Sequence, residues 1–458
     1  MRHFQSKNPH NSAILGRIAI TTQDEIKETV ARAREAQIPW RELGLAARVA
    51  QLRPVALALI SHKDEFAKRI SEEMGMPIQE SASDVESASR YFMWYLDNAQ
   101  KCLAPEITLE NNTEVHTVYR EAIGVAAVIV PWNFPASNFV WGCVQNLIAG
   151  NTVVFKCSEE VPLCGMLIEK IMKEADLPPG VFAEVYGKGP VGALLARQNV
   201  DLICFTGSSA VGKSLYRVAA AGMKRIVMEL GGSAAGIVFP DADLDSAIAH
   251  IYDARFQNAG QACDALKRLL VHESVWDPTV ERLAAKLQMI QLGDPLNPYH
   301  HMGPLISTMQ VELLERQVLD ALELGGIVIA GGKQPGLAGA YYEPTLIGTV
   351  STDMRVWREE VFGPVLPIMR FKTEEEAIAL ANDTQYGLGG YVYTQDAALA
   401  ARVAAQLQTG MVSVNGVSYV RPMNPFGGYK HSGVGREHGR WGFEDVTQAK
   451  IVARPKHA

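Results

Sequence analysis

The chain's 458 residues are 48% apolar, 20% charged and 8% aromatic, a balance that fits folded globular domains and excludes disordered or collagen-like classes. Lys and Arg number 43 against 50 Asp and Glu, a net charge of −7, and basic residues cluster no further than pairs such as Lys224-Arg225. That argues against a nucleic-acid partner. The longest apolar stretch, residues 122–134, is interrupted by Gly124 and Pro131 and is too short to cross a bilayer, so no membrane span is expected.

The first residues lack the apolar core of a secretory signal, and six cysteines (Cys102, Cys143, Cys157, Cys164, Cys204 and Cys263) are scattered without CxxC pairs. Reduced thiols, a cytoplasmic location and no metal site are the expectation.

In chain order, residues 22–37 and 43–74 carry apolar positions at three and four, the spacing of amphipathic helices. Residues 77–101 form a further predicted helix whose stripe of Tyr91, Phe92, Trp94 and Tyr95 reads as core. From residue 124 the pattern changes to short β-prone runs, 125–130, 152–155, 182–186, 202–205 and 225–228, separated by helix-length segments. Strands buried on both faces read as continuous apolar runs, so this region is predicted to be a doubly wound parallel sheet of the nucleotide-binding kind. A second α/β series follows, with strands expected at 235–239, 268–271, 327–330, 366–370, 390–393 and 411–414. Residues 295–298 and 331–339, rich in Pro and Gly, read as loops.

Four short segments carry chemistry. After the run ending at Phe205, Gly207 and Ser208 open a turn into a helix, whose N-terminus attracts an anion. Read as G-x-x-x-x-G-K-S, the residues Gly207, Gly212, Lys213 and Ser214 also match a P-loop, with Asp241 as the Mg²⁺ carboxylate, so an NTPase is the rival reading. Cys263 follows the polar segment Gln257–Gln261, and a thiolate attacks carbonyl carbon well. Glu229 ends an apolar strand beside Gly231 and Gly232, where desolvation raises a carboxyl toward the range of a general base. Asn133, held between Pro131 and Pro135, presents an amide suited to a developing oxyanion.

Taken together and in order, these motifs resemble the aldehyde dehydrogenase superfamily over nearly the whole chain. The resemblance rests on Pro131-Trp132-Asn133-Phe134-Pro135, Thr206-Gly207-Ser208, Glu229-Leu230-Gly231-Gly232, Gly260-Gln261-Ala262-Cys263, Glu360-Val361-Phe362-Gly363-Pro364 and the stretch from Phe426 to Glu437. It implies an aldehyde dehydrogenase fold, Rossmann-like over residues 1–105 and 121–231, catalytic over 232–440, with an oligomerisation segment at 106–120 and 441–458. It implies Cys263 as nucleophile, passing through a thiohemiacetal and a thioester, Glu229 as activator of water, and Asn133 as oxyanion donor.

For the cofactor the resemblance implies Gly207, Ser208 and Gly212 at the pyrophosphate, Lys156 and Glu159 at the adenosine ribose, and Trp132, Glu360 and Phe362 near the nicotinamide riboside. An acid at Glu159 favours NAD, with NADP possible. Among subfamilies the chain resembles short bacterial succinate-semialdehyde dehydrogenases. Arginines that such enzymes often use for the substrate carboxylate are replaced by Trp141 and Gln257, leaving Phe134, Trp141, Gln257, Arg421 and Phe426 as the expected substrate contacts. Medium-chain aliphatic or aromatic aldehydes are the alternative. A lysine common in relatives is replaced by Gly142, and Asp264 follows the nucleophile. A homodimer or homotetramer is implied, joined through the flap at residues 106–120 and the tail at 447–455.

Overall fold

The computed structural model describes residues 2–456. Two α/β units share the chain. The first sheet has the strand order Gly433–Val434, Arg225–Glu229, Leu202–Thr206, Val125–Ile129, Thr152–Lys156, Phe182–Glu184. All neighbours are parallel except the first pair. Val125 to Val128 and Val153 to Phe155 are fully buried, as a central parallel strand covered on both faces requires. One face packs on helices Gln23–Glu42 and Gly189–Arg197, the other on Pro135–Ala149 and the long helix Ile78–Cys102. In that helix Tyr91, Phe92 and Tyr95 are buried, as their spacing predicts.

The second sheet runs Ile327–Ala330, Thr345–Gly348, Val365–Phe371, Leu266–His272, Ala234–Val238, Gly390–Tyr393, Ser413–Val414. Two of its expected strands, 327–330 and 390–393, have the observed bounds, whereas 411–414 shortens to Ser413–Val414. Thr345–Gly348 was not anticipated; its four residues sit behind Pro344 and pair with both neighbours only once the chain has folded.

Three further differences are local. Residues 3–19 form a hairpin of His3–Lys7 with Ile14–Ala19. The helix expected over 43–74 divides at His62, whose ring nitrogens contact Glu65 at 2.9 Å and Glu174, from a distant helix, at 3.0 Å. The strand Gly433–Val434 pairs with Arg225–Glu229, so the chain rejoins the first sheet before residue 440, the expected boundary. Glu106–Glu110, Glu114–Ala122 and Thr447–Pro455 form a three-stranded antiparallel sheet, with the tail in register from Thr447 opposite Ala122 to Pro455 opposite Glu114. Thus the tail pairs first with its own chain. No single helix among the described residues is long and apolar enough to cross a membrane.

Candidate active site

A cavity of about 790 Å³ lies between the two units, lined by the ends of strands from both sheets and by helix Ile78–Cys102. Cys263, Glu229 and Asn133, separated by more than a hundred residues at the extremes, all line it. So do Trp132, Phe134, Trp141, Gly207, Ser208, Gln257, Glu360, Phe362 and Phe426.

The nucleophile's loop is built by unusual backbone. Asn258 and Ala259 adopt φ of 51° and 52°, and Gly260 follows at 74°. Left-handed conformations cost a non-glycine residue energy unless neighbours impose them. Here Asn258 N–H donates to Glu80 Oε2 at 2.7 Å, and its amide donates to the Asn133 carbonyl at 2.9 Å. Gly260 must lack a side chain, since a Cβ would stand 2.5 Å from the Gly363 carbonyl oxygen. Gln261 is fully buried, donating to the Asn258 carbonyl at 3.0 Å and accepting from Ile306 N–H at 3.0 Å. Cys263 emerges half-buried, facing the cavity.

Asn133 donates one amide N–H to the Gln261 carbonyl at 3.1 Å, and its own carbonyl oxygen accepts from Asn138 at 3.2 Å. These bonds fix which end of the amide is the donor and leave a second N–H free for the cavity. Glu229, at the end of its strand, is 2% exposed, and neither carboxyl oxygen has a hydrogen-bond partner among the described residues. Burial pushes its carboxyl well above the usual range, nearby Glu437 adds to this, and the adjacent Cys263 thiol offsets part of it. Burial, then Glu229 and Asp264, likewise pushes the Cys263 thiol up. Glu437 also lines the cavity, its carboxyl raised to about 7 by burial.

Gly232 allows the two catalytic segments to touch: a Cβ there would lie 2.4 Å from the Cys263 carbonyl oxygen. At Gly142 a Cβ would meet Val128 at 2.6 Å, so the position serves contact between helix and strand.

The residues expected at a dinucleotide divide. Trp132 and Phe362 meet edge to face at 5.6 Å, and Glu360 accepts from Gly232 N–H at 3.1 Å while pairing with Lys267. Gly207 and Ser208 precede helix Ser209–Ala221, Ser208 capping it through Val211 N–H. Lys156 and Glu159 stand at the end of Thr152–Lys156, two strands from Leu202–Thr206, outside the cavity lining, 3.3 Å apart, and Glu159 also accepts from Gly189 N–H at 3.2 Å. These strand ends, a helix N-terminus and an aromatic pair beside the thiol fit a nicotinamide dinucleotide. Gly212 does not face that site. It is buried, a Cβ there would lie 2.6 Å from Leu230, and its N–H bonds the Ser208 carbonyl within the helix.

Arg421 is exposed and outside the cavity lining; the arginine that lines it is Arg90, on the helix whose aromatic stripe drew attention to the core. The P-loop alternative fails on geometry. Lys213 and Ser214 are exposed on the outer face of their helix, Lys213 lying 3.5 Å from His431. Asp241 belongs to the other unit, where it accepts from Thr394 Oγ1 at 2.7 Å and from two backbone N–H groups. Lys267 and Asn258 were not legible beforehand, because nothing local distinguishes their partners.

Fold and site together define a dinucleotide-dependent enzyme that works through a covalent thiol. Residues 1–452 match the aldehyde dehydrogenase family. The chain is 37% identical to a mitochondrial succinate-semialdehyde dehydrogenase of Arabidopsis thaliana, across 97% of this chain and 85% of that one. It is 36% identical to a probable NADP⁺ succinate-semialdehyde dehydrogenase of Sinorhizobium fredii, across 98% and 92%. The crystal structure of betaine aldehyde dehydrogenase from Staphylococcus aureus in complex with NAD⁺ superposes with a TM-score of 0.95 at 32% identity, covering 99% of this chain and 91% of that one. The chain belongs to the aldehyde dehydrogenase family and is an NAD(P)-dependent aldehyde dehydrogenase.

Proposed function

We propose that the enzyme oxidises short aldehydes with an anionic far end, of the succinate-semialdehyde type, using NAD in preference to NADP. The observation that carries the reaction is the convergence of Cys263, Glu229 and the free amide N–H of Asn133 on one cavity. The Cys263 sulfur adds to the aldehyde carbon, and the oxyanion is held by the Asn133 amide and the Cys263 backbone N–H, which makes no bond among the described residues. A bound nicotinamide supplies the hydride acceptor. Gly207, Ser208, Trp132, Glu360 and Phe362 would hold the dinucleotide. Glu229 then takes the proton of the water that cleaves the thioester, its unpartnered oxygens being free to receive it.

For the substrate, Arg90 supports an anionic end: it lines the cavity and has no ion pair or hydrogen bond among the described residues. Semialdehyde dehydrogenases among the relatives support the same class. For the cofactor, the carboxylate of Glu159 beside Lys156 favours an unphosphorylated ribose. A second reading, a medium-chain or aromatic aldehyde, is favoured by Phe134, Trp141 and Phe426 in the lining. Comparing kcat/KM for succinate semialdehyde, hexanal and benzaldehyde decides between them; the first should be highest, and a preference for either of the others overturns the assignment.

The active form proposed is a cytoplasmic homodimer or homotetramer. Ile107, Leu109, Tyr119 and Ile451 are exposed apolar residues on the small antiparallel sheet, whose outer strands each leave one edge free. All six cysteines are unpaired, which suits a reducing compartment. Light scattering measures the assembly directly, and a monomer at micromolar concentration would refute it.

A further inference from the structure

Beside the nucleophile stands a polar group that the reaction above does not use. Asp264 follows Cys263 and lines the same cavity, within one residue of the reacting sulfur. No ion pair reaches its carboxyl among the described residues, and Lys267, the neighbouring cation, is engaged by Glu360 and two backbone carbonyls. Two phenols back it. The Tyr391 hydroxyl donates to the Asp264 carbonyl oxygen at 2.8 Å, and the Tyr419 hydroxyl donates to Tyr391 at 3.1 Å. Both tyrosines line the cavity. The Tyr391 proton is thereby committed to the Asp264 carbonyl oxygen, and the Asp264 carboxyl, which lines the cavity, keeps acceptor capacity toward it.

Burial pushes the Asp264 carboxyl up, with its own backbone N–H, then Lys267 and the Tyr419 hydroxyl, opposing the rise. Whether or not it holds a proton, a carboxyl can accept a hydrogen bond from a hydroxyl. Elsewhere in the lining Trp141 and Phe426 meet at 5.3 Å, an aromatic surface whose polar atom, Trp141 Nε1, has no partner among the described residues. A site that holds unpaired polar groups at one place and aromatic rings at another discriminates strongly in favour of a ligand that satisfies the polar groups.

We propose that Asp264, backed by Tyr391 and Tyr419, is a hydrogen-bonding subsite for a hydroxyl carried by the substrate one or two carbons from its aldehyde carbon. The inference rests on the aldehyde-oxidising reading and, among short aldehydes with an anionic far end, favours those that also carry a hydroxyl near the aldehyde carbon.

The test compares 2-hydroxypropanal with propanal, which differ by one hydroxyl, in wild type, Asp264→Ala and Tyr419→Phe, following NADH. In wild type kcat/KM should favour 2-hydroxypropanal by about tenfold or more, the scale on which a site built for a hydroxyl rejects its deoxy analogue. Asp264→Ala should bring the ratio to within about twofold of one, and Tyr419→Phe should lower it by about threefold. The ratio is the readout because a purely structural defect lowers both rates together. If Asp264→Ala does not fold, Tyr419→Phe decides. A wild-type ratio at or below one, or a ratio that survives the substitutions, overturns the subsite while aldehyde oxidation stands. Absence of NADH or NADPH from every aldehyde would instead reject the reading on which it rests.

Discussion

The ammonium of Lys267 is bonded to the Cys263 backbone carbonyl at 2.9 Å, and the same ammonium bonds the Gly232 carbonyl at 2.9 Å and pairs with Glu360. One fully buried cation thus joins the nucleophile's loop, the turn after the general base and a cofactor-side carboxylate, with each of its three protons claimed. Lys267 also lies 5.2 Å over the Phe362 ring. Arg255 serves a parallel purpose beneath the Glu360 loop, where Nε donates to the Val365 carbonyl at 3.0 Å and Nη2 donates to those of Val361 and Gly363.

Lys267→Met should therefore leave Glu360 without its cation and two carbonyls without their donor. Breaking one side of a buried pair typically costs about 3–5 kcal/mol. Urea unfolding followed by tryptophan fluorescence measures it, and an unchanged midpoint would mean the pair contributes nothing.

Cys263→Ala should abolish turnover yet leave NAD binding nearly intact, since Gly207, Ser208, Trp132, Glu360 and Phe362, which line the same cavity, are unchanged. Asn133→Ala removes a single oxyanion donor and should lower kcat by about a hundredfold, near 3 kcal/mol in the barrier. Calorimetric titration with NAD beside steady-state kinetics separates the two effects; loss of NAD affinity in Cys263→Ala would show that the reacting group has been misassigned.

With Glu229→Gln, the acid that activates water is lost while the sulfur remains. A rapid-mixing experiment should retain a burst of NADH followed by a steady state slowed by about a hundredfold or more. No burst would contradict the division of labour between Cys263 and Glu229. Because burial raises both groups, wild-type turnover should increase as pH rises through the neutral range into the alkaline.

Glu437 makes a stability prediction. Its carboxyl is raised from 4.5 to about 7 by burial, so between these values the folded chain keeps a proton that the unfolded chain has lost. The associated stability is complete below pH 4.5 and is lost as pH rises through about 7. Between about pH 5 and about pH 8, wild type should therefore lose roughly 2–3 kcal/mol more than Glu437→Gln. Denaturant midpoints at the two pH values test this. Glu73 and Glu80, also raised to about 7, titrate in both proteins and cancel, so the difference reports Glu437 together with its effect on Glu229. Equal declines would sink the claim.

What the sequence by itself determined was local chemistry and pattern. Apolar runs of strand length separated by helices state the α/β class, and Cys263, Glu229, Asn133, Gly207 and Ser208 stand in segments whose residue types announce their roles. Those five line one cavity, whereas Gly212 and Arg421, read from the same kind of segment, do not. A motif reports which residues are adjacent in the chain but not which face they turn, and Gly212 turns to Leu230 while Arg421 stays outside the cavity.

Tertiary structure alone decided Arg90, the break at His62 and the network around Asp264. Tyr391 reaches the Asp264 carbonyl across 127 residues, Asn133 reaches Gln261 across 128, and Lys267 reaches Glu360 across 93. Hydrogen bonds depend on separations of about 3 Å and on direction. Such precision between distant segments exists only after two sheets have packed, because burial and strand register, rather than composition, bring those atoms together.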